Sequence, residues 1–298
     1  MPIDITSVGS SSSGNSYIIF AEGLTLVLDV GLTAKKILGA LEHFGIDPEE
    51  VDAVMVTHEH VDHVRSIRAV SRKCCNAVVY ASRGTAENTA NFVHVPEERF
   101  VPVSAGDCIE LGPVKIGVFP LSHDAAEPVG FTVSAGDEKL AVVTDTGIIT
   151  DEIRNAVCDA DMLVLEANHD EDMLMFGEYP YPVKVRIKGD RGHLSNDYAG
   201  DVLTRILEYR CHDAQGDSSV ATLPQNDKKP LRIMLAHLSF HNNMPLFARQ
   251  TVEAALHDAG FTRGIDYTLE VAAKEGLTFM EPLNVEDGSL RPSGDISE

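Results

Sequence analysis

Thr57-His58-Glu59-His60-Val61-Asp62-His63 stands where the apolar run Ala53-Val54-Met55-Val56 gives way to an amphipathic stretch over 62–71. His58 and His60 are two apart, so an extended segment aims both imidazoles the same way. Asp62 and His63 follow at the entry to the predicted helix, where the chain turns back toward the same point. Imidazole with carboxylate suits zinc, manganese or iron(II). A lone histidine reads as a surface or hydrogen-bonded residue. An HxHxDH run at a strand-to-helix junction reads as a metal site.

Working outward, five more apolar runs end in the same way: Leu26-Val27-Leu28-Asp29, Val118-Phe119-Pro120-Leu121-Ser122-His123, Val142-Val143-Thr144-Asp145, Leu163-Val164-Leu165-Glu166 and Met234-Leu235-Ala236-His237. With His58 this makes six predicted strands that run into Asp, Glu or His. Open α/β sheets place their sites beyond the carboxyl ends of strands, so six such ends define one rim of ligands. Short β-branched runs alternate with amphipathic stretches, the pattern of an α/β protein. The periodicity predicts strands over 16–20, 25–28, 53–56, 77–80, 114–119, 130–134, 140–143, 162–165 and 232–235. It predicts helices over 33–44, 62–71, 84–91, 150–157, 196–210 and 245–259, with Ser195 or Asn196 and Asn243 as starts of the last two. No internal repeat is visible. The polar stretch 211–230 reads as a surface insertion, and 282–298, rich in Gly, Ser, Pro, Asp and Glu, as a flexible tail. The expectation is one domain over 1–281.

Composition narrows the class. A chain of 298 residues that is 44% hydrophobic buries a sizeable core. No run approaches the roughly 20 apolar residues of a membrane span, and the N-terminus lacks a signal-peptide pattern, so the expectation is a cytoplasmic protein with no membrane partner. Five cysteines without a CxxC pair read as reduced thiols. Lys and Arg number 24 against 46 Asp and Glu, a net charge of −22. That argues against broad electrostatic capture of nucleic acid. An anionic substrate must then be held by metals and a local cluster, for which Lys184, Arg186, Lys188 and Arg191 are the candidates.

The HxHxDH motif with single downstream His, Asp and His residues resembles the metallo-β-lactamase superfamily. The resemblance runs from about Ser7 to Val271 and implies an αββα sandwich, two mixed sheets flanked by helices. It implies that His58, His60 and His123 hold one metal, that Asp62, His63 and His237 hold a second, and that Asp145 bridges them. Asp29 matches an acid that supports the ligand loop. Two cations (Mn²⁺ or Zn²⁺, with Fe also compatible) would ionise a bridging water to hydroxide and offset charge on an attacked phosphorus or carbonyl, in which Asp62 takes part.

Three features narrow the branch. Glu166-Ala167-Asn168-His169-Asp170 and Gly192-His193-Leu194-Ser195-Asn196 resemble the Glu/His pair of phosphodiesterases of this fold, which implies His193 as proton donor and Glu166 as its orienter. A helix-start histidine is the bland reading of His193, and His169 is the competing donor. The run Gly9-Ser10-Ser11-Ser12-Ser13-Gly14-Asn15-Ser16 reads as a loop; beside a metal rim its amides and hydroxyls can cradle a phosphate, so Ser12, Ser13 and Asn15 join Asn168 and Lys188 as candidate substrate-binding residues. Together with Ser122-His123-Asp124-Ala125-Ala126-Glu127-Pro128-Val129-Gly130-Phe131 and Ala236-His237-Leu238-Ser239, with Asn242-Asn243 beyond it, these segments look like the bacterial YycJ/WalJ (VicX-like) family. That resemblance implies a 5′-to-3′ exonuclease acting on DNA rather than RNA, with manganese favoured. The acidity of the chain and the 211–230 stretch depart from the family pattern.

Tyr179-Pro180-Tyr181-Pro182 reads as a turn that packs or stacks a base. The competing functions are a phosphodiesterase for small cyclic or dinucleotide substrates, a thioester, lactone or lactam hydrolase, and a regulatory protein with a vestigial site. The last is disfavoured by a complete ligand set. Composition and spacing say nothing of oligomeric state.

Overall fold

The computed structural model describes residues 3–213 and 229–280. Strands β1 (Asp4–Ser11), β2 (Gly14–Ala21), β3 (Leu24–Leu28), β4 (Ala53–Met55), β5 (Val78–Ala81) and β6 (Phe100–Pro102) lie side by side in chain order. Strands β7 (Cys108–Leu111), β8 (Val114–Pro120), β9 (Val129–Ala135), β10 (Glu138–Val143), β11 (Met162–Glu166), β12 (Leu231–Ala236) and β13 (Tyr267–Val271) form a second sheet. A short β14 (Thr278–Phe279) returns to pair with β1. Each sheet is mixed: β1–β3 and β7–β10 are antiparallel, whereas β3–β6 and β10–β13 are parallel.

Side-chain alternation builds four layers. Leu26 and Leu28 of β3, Leu140 and Val142 of β10 and Met162 and Val164 of β11 meet in a core between the sheets. Their neighbours Val27, Ala141, Val143, Leu163 and Leu165 face outward and are buried too. On one side they pack with α1 (Ala34–His43) and α3 (Ile67–Lys73), which follows a single-turn α2 (Val61–Val64). On the other they pack with α5 (Asp151–Val157), α8 (Asn196–Asp213) and α9 (Pro245–Asp258). Strands buried on both faces read as unbroken apolar runs, which is why they were visible in the sequence. The expected αββα sandwich is the fold found.

Several expected elements change. The helix over 62–71 is two pieces, because Ser66 donates from its N to the Val30 carbonyl at 2.9 Å and from its hydroxyl to the Leu32 carbonyl at 2.6 Å. These bonds tie the ligand loop to the exit of β3. The helix over 84–91 is α4 (Arg83–Glu87) followed by a 3₁₀ turn. Two further helices, α6 (Glu171–Phe176) and α7 (Tyr181–Ile187), were not expected, and of the expected turn over 179–182 Pro180 caps α7 while Tyr181 and Pro182 begin it. The cap of α9 is Met244 and not Asn243. The Ser/Gly run 9–16 is no loop: it ends β1 and starts β2, with only Ser12 and Ser13 in the turn. Its Ser10, Ser11 and Asn15 are buried and bond to one another and to Tyr17; Ser10 Oγ lies 2.8 Å from both Asn15 Oδ1 and Tyr17 Oη. The expected tail and positions 214–228 of the expected insertion lie outside the described residues. No described helix is long and apolar enough to cross a membrane.

Candidate metal centre

The six acid- or histidine-tipped strand ends do converge. His58 Nε2 lies 3.0 Å and His123 Nε2 3.2 Å from His60 Nδ1. Beside this trio, Asp62 Oδ2 lies 3.7 Å from His63 Nε2 and 3.5 Å from His237 Nε2. Asp145 stands between the trios, its carboxylate oxygens 3.1 Å from His63 Nε2, 3.6 Å from His123 Nε2 and 3.5 Å from His237 Nε2. The ligand atoms of each trio all fall within 4.8 Å of one another. All seven predicted ligand side chains thus meet at one place.

The backbone is bent to bring them there. Asp29, Asp145 and His237 take left-handed φ values of 55°, 59° and 55° just beyond β3, β10 and β12. Such a conformation costs a non-glycine residue on the order of 1–3 kcal/mol, is tolerated best by Asn, Asp and His, and clusters at functional sites. Gly31 permits the closest approach: a Cβ there would stand 1.5 Å from the Asp62 carbonyl oxygen.

Outer partners hold the rings of His58, His63, His123 and His237. His63 Nδ1 is 2.8 Å from Asp29 Oδ2, and Asp29 Oδ1 accepts from the N–H of Thr57 at 2.9 Å. His123 Nδ1 faces the Gly192 carbonyl at 3.2 Å, and His58 Nδ1 faces Thr57 Oγ1 at 3.0 Å. Glu166 Oε1 accepts from His193 Nδ1 at 2.8 Å and from His237 Nδ1 at 2.7 Å, while its Oε2 accepts from the N–H groups of Thr146 and Leu194. Carboxylates and carbonyls that hold Nδ1–H leave Nε2 of His63, His123 and His237 turned toward the cluster.

Electrostatics show what the pocket lacks. Burial by itself pushes the Asp145 carboxyl up, yet the imidazoles of His237, His63 and His58 hold it well below the usual carboxylate range. Glu166, also pushed up by burial, is drawn down to about 2 by His193 and His237. Burial lowers His237, but Asp145, Asp62 and Glu166 raise it to about 10, and Asp145, Asp29 and Asp62 raise His63 well above its ordinary value against the same penalty. Protons on His63 and His237 thus stand in for positive charge. Asp145 Oδ2 and His237 Nε2 are buried and face only other polar atoms of the cluster, at 3.1 Å and 3.5 Å, none of them in hydrogen-bond geometry. Orphaned ligand atoms, imidazole and carboxylate donors and a demand for cations together fit divalent metal.

A model of the "Beta-lactamase superfamily domain" matches residues 33–210. The exodeoxyribonuclease YycJ of Bacillus anthracis is 31% identical over 265 residues, 89% of this chain and 93% of that protein. WalJ, the exodeoxyribonuclease of Streptococcus pneumoniae, is 32% identical over 263 residues, 87% of this chain and 90% of its own length. This chain belongs to the YycJ/WalJ family of the metallo-β-lactamase superfamily. The fold also matches the metallo-β-lactamase-fold protein YhfI of Bacillus subtilis, with a TM-score of 0.66 at 14% identity, covering 93% of this chain and all of that one.

Among the other residues singled out from the sequence, the structure separates those at the family centre from those that support it. His193 is half-buried, with Asp145 Oδ1 3.7 Å from its Nδ1. His169, the competing donor, is buried with both ring nitrogens unpartnered among the described residues, outside the cluster, and burial lowers it to about 4. Ser12 and Ser13 are exposed, and the Ser12 N–H donates to the Leu238 carbonyl at 3.3 Å, just beyond His237.

Three residues expected to bind substrate are engaged within the chain. Asn15 is buried, donating to the Ser11 carbonyl and accepting from Ser10 and Ser11, with His63 Nε2 3.2 Å away; it braces the ligand loop. Asn168 is buried and donates to the His237 carbonyl at 2.9 Å, so it braces that turn. Lys188 is paired with Glu171 at 2.7 Å. The whole basic group is engaged in the same way. Lys184 donates to the carbonyls of Met175 and Gly177, Arg186 pairs with Asp124, and Arg191 donates to the carbonyl of His123. Arg186 and Arg191 tie the α6–α7 segment to the ligand-bearing loop after β8, whereas Lys184 and Lys188 bond within the segment. Thr57 and Arg191 were missed as supports; a hydroxyl directly before the histidine motif was the available signal for Thr57.

Proposed function

We propose that this chain is a 5′-to-3′ exonuclease on DNA that works with two divalent cations, manganese or zinc, one on His58, His60 and His123 and one on Asp62, His63 and His237, with Asp145 shared. The coarser statement holds without proposal: the family and the site are those of a metal-dependent hydrolase of the nuclease and phosphodiesterase class. When bound, such cations supply an ionised water as nucleophile and offset the charge that builds on phosphorus.

The observation that carries the reading is the shared Glu166 oxygen. A phosphodiester expels an alkoxide, which needs a proton as it leaves. His193 directs its Nδ1–H to Glu166, so in the protonated ring Nε2–H is the free donor. After transfer the neutral ring keeps its Nδ1 bond and its orientation. Lactam, lactone and thioester hydrolysis depend less on such a donor. The relatives that bear the name exodeoxyribonuclease match over about nine-tenths of this chain and support DNA as the substrate.

One observation favours a second reading, a small cyclic or dinucleotide substrate. With a net charge of −22 and its best basic cluster engaged internally, the chain has few fixed cations to hold a long phosphate backbone. Parallel assays of the manganese-loaded protein on 5′-phosphorylated duplex DNA, single-stranded RNA, a cyclic dinucleotide and a lactam separate the readings. The proposal expects the DNA to be consumed fastest, from its 5′ end.

A further inference from the structure

The strand end that carries His237 continues into an aromatic surface that the metal chemistry does not use. Phe240 follows His237 by three residues, so their Cα atoms are at most about 11 Å apart. Phe240 is 56% exposed, although the preceding Leu238 and Ser239 are buried. Its ring meets His241 edge-on at 4.9 Å, and His241 meets Tyr179 at 5.8 Å. Lys274 places its Nζ 3.1 Å from the centroid of the Phe240 ring. Two backbone bonds anchor this group to the rim: Ser12 N–H to the Leu238 carbonyl, and Ser10 N–H to the carbonyl of Ala273, next to Lys274.

We propose that Phe240, His241 and Tyr179, together with Lys274, form a stacking platform for an unpaired nucleobase of the strand whose phosphodiester lies at the metal centre. The inference rests on the phosphodiesterase reading and adds to it a contact with the base. Exposed rings beside a cation are what single-stranded nucleic acid binds without sequence preference. At a rise of about 3.4 Å per nucleotide, the platform lies within roughly three nucleotides of the scissile phosphate. The ammonium marks the place of the base: an incoming base takes its position over the Phe240 ring, and the flexible lysine stem carries the charge to a neighbouring phosphate. Where the cations of α7 are tied to carbonyls and carboxylates, Lys274 sits on a π-face, and its neighbour Glu275 is paired with Lys36 at 3.0 Å.

The test reads binding and not turnover. In a manganese-loaded His193→Ala background, two 5′-phosphorylated oligothymidylates labelled at the 3′ end are followed by anisotropy: one intact, the other abasic at its 5′-terminal nucleotides. Phe240→Ala should weaken the intact oligonucleotide about 5- to 150-fold and leave the abasic one unchanged, with Phe240→Tyr restoring affinity. Lys274→Ala should lower the slope of log Kd against log salt by about 1, which Phe240→Ala should not do. Equal effects of Phe240→Ala on both oligonucleotides, or none on either, would overturn the platform and leave the surface to a protein partner. Failure of the wild-type enzyme to cleave DNA would strike the phosphodiesterase reading instead, and these binding constants would still report on the platform.

Discussion

Glu166 and His193 lie 2.8 Å apart, and the same Glu166 oxygen holds His237, a residue of the metal cluster, at 2.7 Å. One buried carboxylate therefore orients both the proposed proton donor and a proposed metal ligand. Chemistry and metal affinity are coupled through a single side chain.

The coupling separates two substitutions. Glu166→Gln puts an amide where Oε1 and Oε2 accept four hydrogen bonds, so at least one N–H meets another donor. It should lower turnover by about 10²–10⁴-fold and weaken metal affinity by about 10–100-fold, read by titration against a metal indicator. An unchanged metal affinity would mean that Glu166 does not support His237.

Metal binding should release protons at neutral pH. His237 is raised to about 10 and His63 well above its ordinary value, so both rings are protonated near pH 7 in the metal-free protein. Metal must displace the Nε2 protons, since Nδ1 faces Glu166 and Asp29. Calorimetry of manganese binding in buffers of different ionisation enthalpy should yield about three protons released per protein, two from these rings and one from the water that the cations ionise. Enthalpies that do not depend on the buffer would contradict it.

Gly31→Ala should damage fold and site together. The new Cβ collides with the Asp62 carbonyl, which costs more than the about 1–3 kcal/mol of ordinary overpacking, so the unfolding midpoint should fall by roughly 5–10 °C with loss of bound metal. Gly39→Ala serves as control. Within α1 it meets nothing within 4 Å, and it should hold or raise the midpoint.

The sandwich and the seven converging side chains were legible because strands buried on both faces are unbroken apolar runs, and each ends in a residue that would be out of place in a core. What stayed hidden depends on distant partners. The polar strand ends around Ser10 and Asn15 resemble a loop until Tyr17 and His63 are seen beside them. Helices α6 and α7, of six and seven residues, are too short to show a helical period. The arginines of the basic group looked ready for phosphate because their anchors are remote in sequence, Asp124 lying 62 positions from Arg186 and the His123 carbonyl 68 from Arg191. The double duty of Glu166 needs residues 27 and 71 positions away to meet at one oxygen.

The most direct test compares manganese-loaded wild type with His193→Ala on 5′-phosphorylated duplex DNA and on a lactam, with metal content measured on the same samples. The account predicts that wild type consumes the DNA faster and that His193→Ala loses about 10²–10⁴-fold of that turnover at unchanged metal content. Faster consumption of the lactam, with no effect of the substitution, would contradict it.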